Sequence, residues 1–223
     1  AWLFSPTPDS CLEVSGDTKN SRGAVLCLHQ TNRKIGKDEP AGLAGAPDMH
    51  YALELARRGF VTMAPDFPNC GEYPRMNTFE HDYVSTTMKG IADNLRAVDI
   101  LTGLHAVNPQ RVGCIGHSLG GFNAMFLAAF DKRVQAIVSS CGYTSWHAFA
   151  NVAGNLYNFA GPNYMPRISR DYRSNPDLMP FDFHEVVASF APRPFFANAP
   201  TGDVSFPAAG VRETIAAARP IYE

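Results

Sequence analysis

Short apolar runs punctuate this chain, and segments with helical spacing fill the gaps between them. Residues 24–29, 60–65, 111–115, 134–140 and 194–198 are apolar along most of their length, not at alternate positions. Runs of that kind predict strands buried on both faces, as in a parallel sheet. Between them, residues 49–58, 80–105, 119–130, 183–190 and 207–219 carry helical spacing. The clearest case is Met88, Ile91, Ala92, Leu95, Val98, Leu101 and Leu104. Asp48 is placed to cap the first helix, Gly59 to end it, and Asn108-Pro109 to close the second. Strands alternating with helices predict an α/β fold, with a mostly parallel sheet and helices on both faces. Residues 143–182 break the rhythm. They are rich in Tyr, Phe, Trp and Asn and are poorly periodic. That stretch is too long for an ordinary connection, and it predicts a cap or substrate-binding insertion within a single domain over residues 1–223.

Composition changes this picture little. The chain has 223 residues, 45% hydrophobic and 18% charged, with a net charge of −2. It reads as one ordinary soluble domain with a sizeable core. No basic excess points to nucleic acid, and the apolar runs fall far short of a membrane span. Of the five cysteines, Cys27, Cys114 and Cys141 fall in or at the ends of predicted strands, where cysteine acts as a small buried hydrophobe. No pair has zinc-ligand spacing, and no metal or organic cofactor is implied. Reduced thiols are expected, with a Cys11–Cys70 disulfide as the alternative. The chain starts Ala-Trp with no visible signal peptide, which leaves a processed secreted protein and a fragment both open, with a cytoplasmic location favoured slightly over a secreted one; the oligomeric state is open.

The chemistry is concentrated at Gly116-His117-Ser118-Leu119-Gly120-Gly121. This G-x-S-x-G segment directly follows the apolar run Val112-Gly113-Cys114-Ile115 and precedes a helical segment. Strand, sharp turn and helix form the context in which a serine is held at the tip of a turn with its hydroxyl exposed. Glycine is expected at the flanks because the turn leaves no room for side chains. Ser118 is therefore the expected nucleophile, and the N–H of Leu119, at the positive end of the following helix, is an expected oxyanion donor.

Three segments taken in order carry a resemblance. They are Leu28-His29-Gln30-Thr31, Arg111 to Gly121, and Pro192-Arg193-Pro194-Phe195-Phe196-Ala197-Asn198-Ala199-Pro200-Thr201-Gly202-Asp203. From residue 24 onward the chain resembles the α/β-hydrolase superfamily, and more narrowly the dienelactone-hydrolase-related and acetyl-xylan-esterase-related serine hydrolases. The resemblance implies a carboxylic ester hydrolase acting on a small or carbohydrate-linked ester. It implies Thr31 as the second oxyanion donor, with Gln30 beside it, and Asp203 as the triad acid. Asp177 and Asp182 are weaker candidates for the acid, because they precede the strand. Dienelactone hydrolases commonly use a cysteine nucleophile, so Ser118 argues against that particular activity.

The family order places a histidine after the acid, and none follows Asp203. All seven lie upstream: His29, His50, His81, His105, His117, His147 and His184. The expectation is that the last strand and the histidine loop lie beyond these residues, the chain being C-terminally incomplete. Tyr143, Trp146, Tyr157, Tyr164 and Arg167 are candidates to shape the substrate site, and Cys70 reads as structural. A non-catalytic binding protein of this fold is the alternative from a different class. A peptidase or thioesterase would share the mechanism.

Overall fold

The computed structural model describes residues 1–6, 22–77, 82–152, 154–161 and 164–223, with the side chain of Asn155 excepted. The predicted apolar runs form strands β2 (Arg22–Leu28), β3 (Val61–Ala64), β4 (Val107–His117), β5 (Val134–Ser140) and β6 (Phe195–Asn198), joined by β1 (Trp2–Phe4) at one edge. The sheet order is β1-β3-β2-β4-β5-β6. Every pairing is parallel except that of β1 with β3. A parallel sheet brings the carboxyl ends of its strands to one edge, and ligand sites of α/β folds are built there.

The helices are α1 (Tyr51–Arg57), α2 (Thr86–Gly103), α3 (Leu119–Phe130), α4 (Trp146–Ala150), α5 (Asn155–Phe159), α6 (Arg167–Arg170), α7 (Phe183–Ala188) and α8 (Ala208–Tyr222). The larger core lies between the sheet and α2, α3 and α7, around Leu26, Val98, Cys114, Phe122, Met125, Ile137 and Phe183. A smaller core of Cys27, Ala52 and Ala64 lies under α1 on the opposite face. Next to Leu55 of α1, an apolar groove of about 400 Å³ opens over Val25, Ile115, Ala136 and Val138. The coverage expected on both faces is therefore incomplete over β4 and β5 among the described residues.

Several boundaries differ from the sequence reading for local reasons. Asp48 does not cap α1. It sits in a 3-10 turn, Pro47–Met49, and the N-cap is His50 with no side-chain bond. Helix α2 starts at Thr86, where the Ser85 side chain accepts from the Met88 amide; the expected residues 80 and 81 lie outside the described set. Asn108-Pro109 belongs to β4, not to a helix end. The register of β4 on β2 shifts between Arg22 and Ala24, so Pro109, Gln110 and Arg111 bulge outward to solvent. The short strand β1 was not expected, and its residues are largely exposed. Helix α8 runs on to Tyr222 with Pro220 inside it, and the Tyr222 hydroxyl donates to the carbonyls of Val187 and Arg193.

The irregular stretch after β5 is a series of short helices clamped onto α3 by aromatic rings. Phe122 meets Phe159 edge-on at 4.8 Å, and Trp146 lies 4.9 Å from Phe183. Asp182 holds the segment's end. It forms a capping box with Glu185 on α7 and accepts from the Trp146 amide at 3.1 Å. Arg193 ties β6 to α3: its guanidinium donates to the carbonyls of Ala128, Asp131, Val134 and Phe190 at 2.8–3.1 Å. The Ala128 carbonyl belongs to the last turn of α3, which has no helical partner of its own to offer it.

Among the described residues no helix is long and apolar enough to cross a membrane. Cys27, Cys70, Cys114 and Cys141 are free thiols. Cys11, the other half of the considered disulfide, lies outside the described residues.

Candidate active site

Ser118 stands where β4 gives way to α3, at the carboxyl edge of the sheet, with φ 51° and ψ −119°. A non-glycine residue reaches that region only under steric strain, which native folds concentrate at working sites. Two bonds hold it there. Its amide donates to the Ser140 carbonyl at 2.7 Å, and its carbonyl accepts from the Phe122 amide at 3.0 Å. The flanking glycines are required by space. A Cβ on Gly116 would lie 2.2 Å from the carbonyl carbon of Gly120, and one on Gly120 would lie 1.9 Å from the Leu28 carbonyl oxygen. The turn is thus pressed against the end of β2, which leads into Gln30 and Thr31.

Ser118 and Leu119 line a cavity of about 180 Å³, together with Thr31, Phe122, Phe149, Asn158, Phe159, Tyr164, Ser205 and Phe206. Thr31 and Leu119, the expected oxyanion pair, therefore share one cavity with the serine. The Thr31 hydroxyl meets the Tyr164 hydroxyl at 3.2 Å, and this contact joins the loop after β2 to the insertion. Gln30 turns away from the cavity and donates to Glu39 at 3.0 Å.

Asp203 follows β6 at the same edge. Its Oδ1 accepts the amides of Ser205 at 2.8 Å and Phe206 at 3.0 Å, which fixes the carboxylate and leads the chain into the cavity wall. Cys141, just past β5 with φ 50°, lies beside it. Burial foremost, and then its hydrogen bond to the Asp203 carboxylate, raises the Cys141 thiol above the ordinary range.

His29 is buried at the end of β2. Its Nε2 accepts the Phe67 amide at 2.9 Å, so Nδ1 carries the proton and donates to the Gln30 carbonyl at 2.5 Å. Both nitrogens are committed, and desolvation lowers the pKa of the ring. His117 meets the Ser140 hydroxyl at 3.1 Å, and Asn198 donates to the same hydroxyl at 3.0 Å. Burial lowers the His117 pKa, against the pull of Asp203. His50 faces the Ala44 carbonyl, and exposed His147 pairs with Asp177 at 3.3 Å. His105 is on the surface, His184 lies on α7, and His81 lies outside the described residues. Among the described residues, no histidine lines the cavity at Ser118.

The other sequence candidates separate clearly. Tyr164 lines the cavity. Tyr143 and Trp146 do not, because both are core residues packed on Phe183. Burial raises the Tyr143 phenol, whose hydroxyl has no partner among the described residues, while the Trp146 indole donates to the Phe181 carbonyl at 2.8 Å. Arg167 is exposed and paired with Asp171 at 2.6 Å, and Tyr157 is exposed. Asp182 is committed to its cap. Cys70 is buried, and its thiol is pushed up to about 11 by burial and then by Asp66. Four phenylalanines that line the cavity, Phe122, Phe149, Phe159 and Phe206, are not among the sequence candidates. Aromatic enrichment around residues 143–182 is a signal for Phe149 and Phe159 alone, since Phe122 and Phe206 lie outside that stretch.

A family model described as alpha/beta hydrolase fold matches residues 40–206. The protein YtaP of Bacillus subtilis is 30% identical over 199 residues, covering 84% of this chain and 62% of YtaP. The carbohydrate esterase MZ0003, from an unknown prokaryotic organism, is 26% identical over 102 residues, covering 44% of this chain and 23% of that protein. Among solved structures, a carbohydrate esterase family 15 glucuronoyl esterase from Caldicellulosiruptor kristjansonii superposes with a TM-score of 0.70 at 20% identity. It covers 99% of this chain and 62% of its own. The chain thus spans less than two thirds of the length of these proteins.

Proposed function

The chain belongs to the α/β-hydrolase fold family, and from that premise we propose that it is the core of a serine hydrolase that cleaves carboxylic esters. The observation that carries the reading is Ser118, strained at a strand-to-helix turn and lining a cavity at the carboxyl edge of the sheet. Serine is a weak nucleophile unaided, so the chemistry needs a base. In the proposed reaction the Ser118 hydroxyl gives its proton to that base as its Oγ bonds to the ester carbonyl carbon. The negative oxygen is held by the amides of Leu119 and Thr31. The bond from carbon to the alcohol oxygen then breaks, and the alcohol leaves with the proton. Water attacks the acyl-enzyme by the same route and frees the acid. Asp203 orients the base, a histidine from outside these 223 residues. Resemblance to a carbohydrate esterase and a glucuronoyl esterase supports a carbohydrate-linked ester as substrate.

That no histidine among the described residues lines the cavity favours a second reading, a non-catalytic binding protein of this fold. A fluorophosphonate probe separates the two. Stoichiometric labelling of the full-length protein at Ser118, lost in Ser118→Ala, is the hydrolase outcome. No labelling of the full-length protein rejects it.

A further inference from the structure

The lining of the cavity at Ser118 has a chemical character that bears on which half of the ester it holds. Its inner wall is made by Phe122, Phe149 and Phe159, all at most 9% exposed. These rings are braced. Phe149 stacks on Phe206 at 5.4 Å, Phe159 stacks on Tyr164 at 5.1 Å, and Phe149 meets Phe159 edge-on at 5.6 Å. Among the described residues none that lines this cavity is charged. A charged group moved into such a wall would lose its hydration with no partner to replace it. Its volume of about 180 Å³ is enough for a benzene-sized group, and Thr31, Asn158, Tyr164 and Ser205 add polar groups beside the rings.

The opposite side of Thr31 and Leu119 differs. There a cleft of about 20 Å³ is lined by Arg33, Asn69 and Thr86 as well as Phe67 and Tyr164, and Arg33 is exposed to solvent. In ester hydrolysis the acyl group stays on the serine while the alcohol is exchanged for water. The compartment that includes Ser118 and presents no charged side chain among the described residues suits the group that stays on the serine, and the side that presents Arg33 suits the group that leaves.

Resting on the proposed acyl transfer at Ser118, we propose that the Phe122–Phe149–Phe159–Tyr164–Phe206 cavity is the acyl subsite and selects an uncharged aromatic or similarly compact apolar acyl group. The alcohol half departs on the Arg33 side.

The test uses full-length protein and 4-nitrophenyl esters, which keep the leaving group constant while the acyl group varies through acetate, butyrate, benzoate, dodecanoate and hemisuccinate. The expected result is a kcat/KM for butyrate and benzoate at least tenfold above that for hemisuccinate, with dodecanoate also disfavoured. Phe206→Trp, which narrows the cavity at its half-buried wall, lowers the ratio of benzoate to acetate kcat/KM at least fivefold. Equal kcat/KM across the series, a preference for hemisuccinate, or an unchanged ratio in Phe206→Trp overturns the acyl subsite and leaves the hydrolase reading standing. Turnover of no ester, with no fluorophosphonate labelling, overturns both.

Discussion

The amide of Ser118 donates to the carbonyl of Ser140 across 2.7 Å, so the strained serine of β4 hangs from the end of the neighbouring strand. That bond forms part of a framework that over-determines an unfavourable backbone conformation, at a cost of order 1–3 kcal/mol. Glycine adopts φ 51° without a Cβ penalty. Ser118→Gly is therefore expected to unfold at a higher temperature than Ser118→Ala, by roughly 2–8 °C for a domain of this size. Calorimetry of the two variants checks this, and equal midpoints would remove strain from the description of the turn.

Gly120→Ala places a methyl 1.9 Å from the Leu28 carbonyl oxygen, and backbone cannot yield as a flexible side chain can. The expected loss is about 3 kcal/mol or more. Gly103, at the end of α2, has nothing within 4 Å of its added Cβ, and Gly103→Ala is expected to be neutral or to stabilise by up to about 1 kcal/mol. Urea unfolding of both variants tests whether space alone governs the choice of glycine.

His29 contributes a pH dependence whose sign follows from its burial. Desolvation lowers its pKa from 6.5 in the folded protein, so the unfolded chain takes up its proton first as pH falls. The stability supplied by neutral His29 is complete above 6.5 and is lost below it, by up to about 1.4 kcal/mol per pH unit. His29→Gln is expected to flatten the fall in urea midpoint between about pH 7.5 and 5. An unchanged slope would show that His29 is not the group responsible.

Arg193 serves four carbonyls with one planar cation. Arg193→Ala leaves those acceptors short of donors and is expected to cost about 3 kcal/mol or more. Lysine cannot span the same fork, so Arg193→Lys recovers only part of the loss. Thermal melts of both variants measure the difference, and full recovery by lysine would reduce the role of Arg193 to its charge.

The framework of the fold was legible in the sequence because continuous apolar runs and helical periods are strong local signals. Ser118 was legible for the same reason, since its glycines answer to contacts within one turn and the strand beside it. The pocket was not. Phe149 and Phe159 reach Ser118 through short helices with no sustained period, and Phe206 arrives after another strand. Tyr143 and Trp146 look like the same kind of residue in sequence, yet they pack into the core against Phe183. Only the path of the backbone separates an aromatic that lines a cavity from one that fills the core. The bulge at Pro109 was likewise hidden, because it depends on the register of β4 against β2.

His117 occupies a variable position of the G-x-S-x-G motif, yet its ring meets the Ser140 hydroxyl, which in turn accepts from Asn198. Three successive strand ends are thereby laced together by side chains far apart in the chain. In evolutionary terms the three positions form one heritable unit. A change at 117 alone leaves the Ser140 hydroxyl with Asn198 but without the imidazole, so lineages that replace this histidine are expected to carry a matching change at 140, and through it at 198.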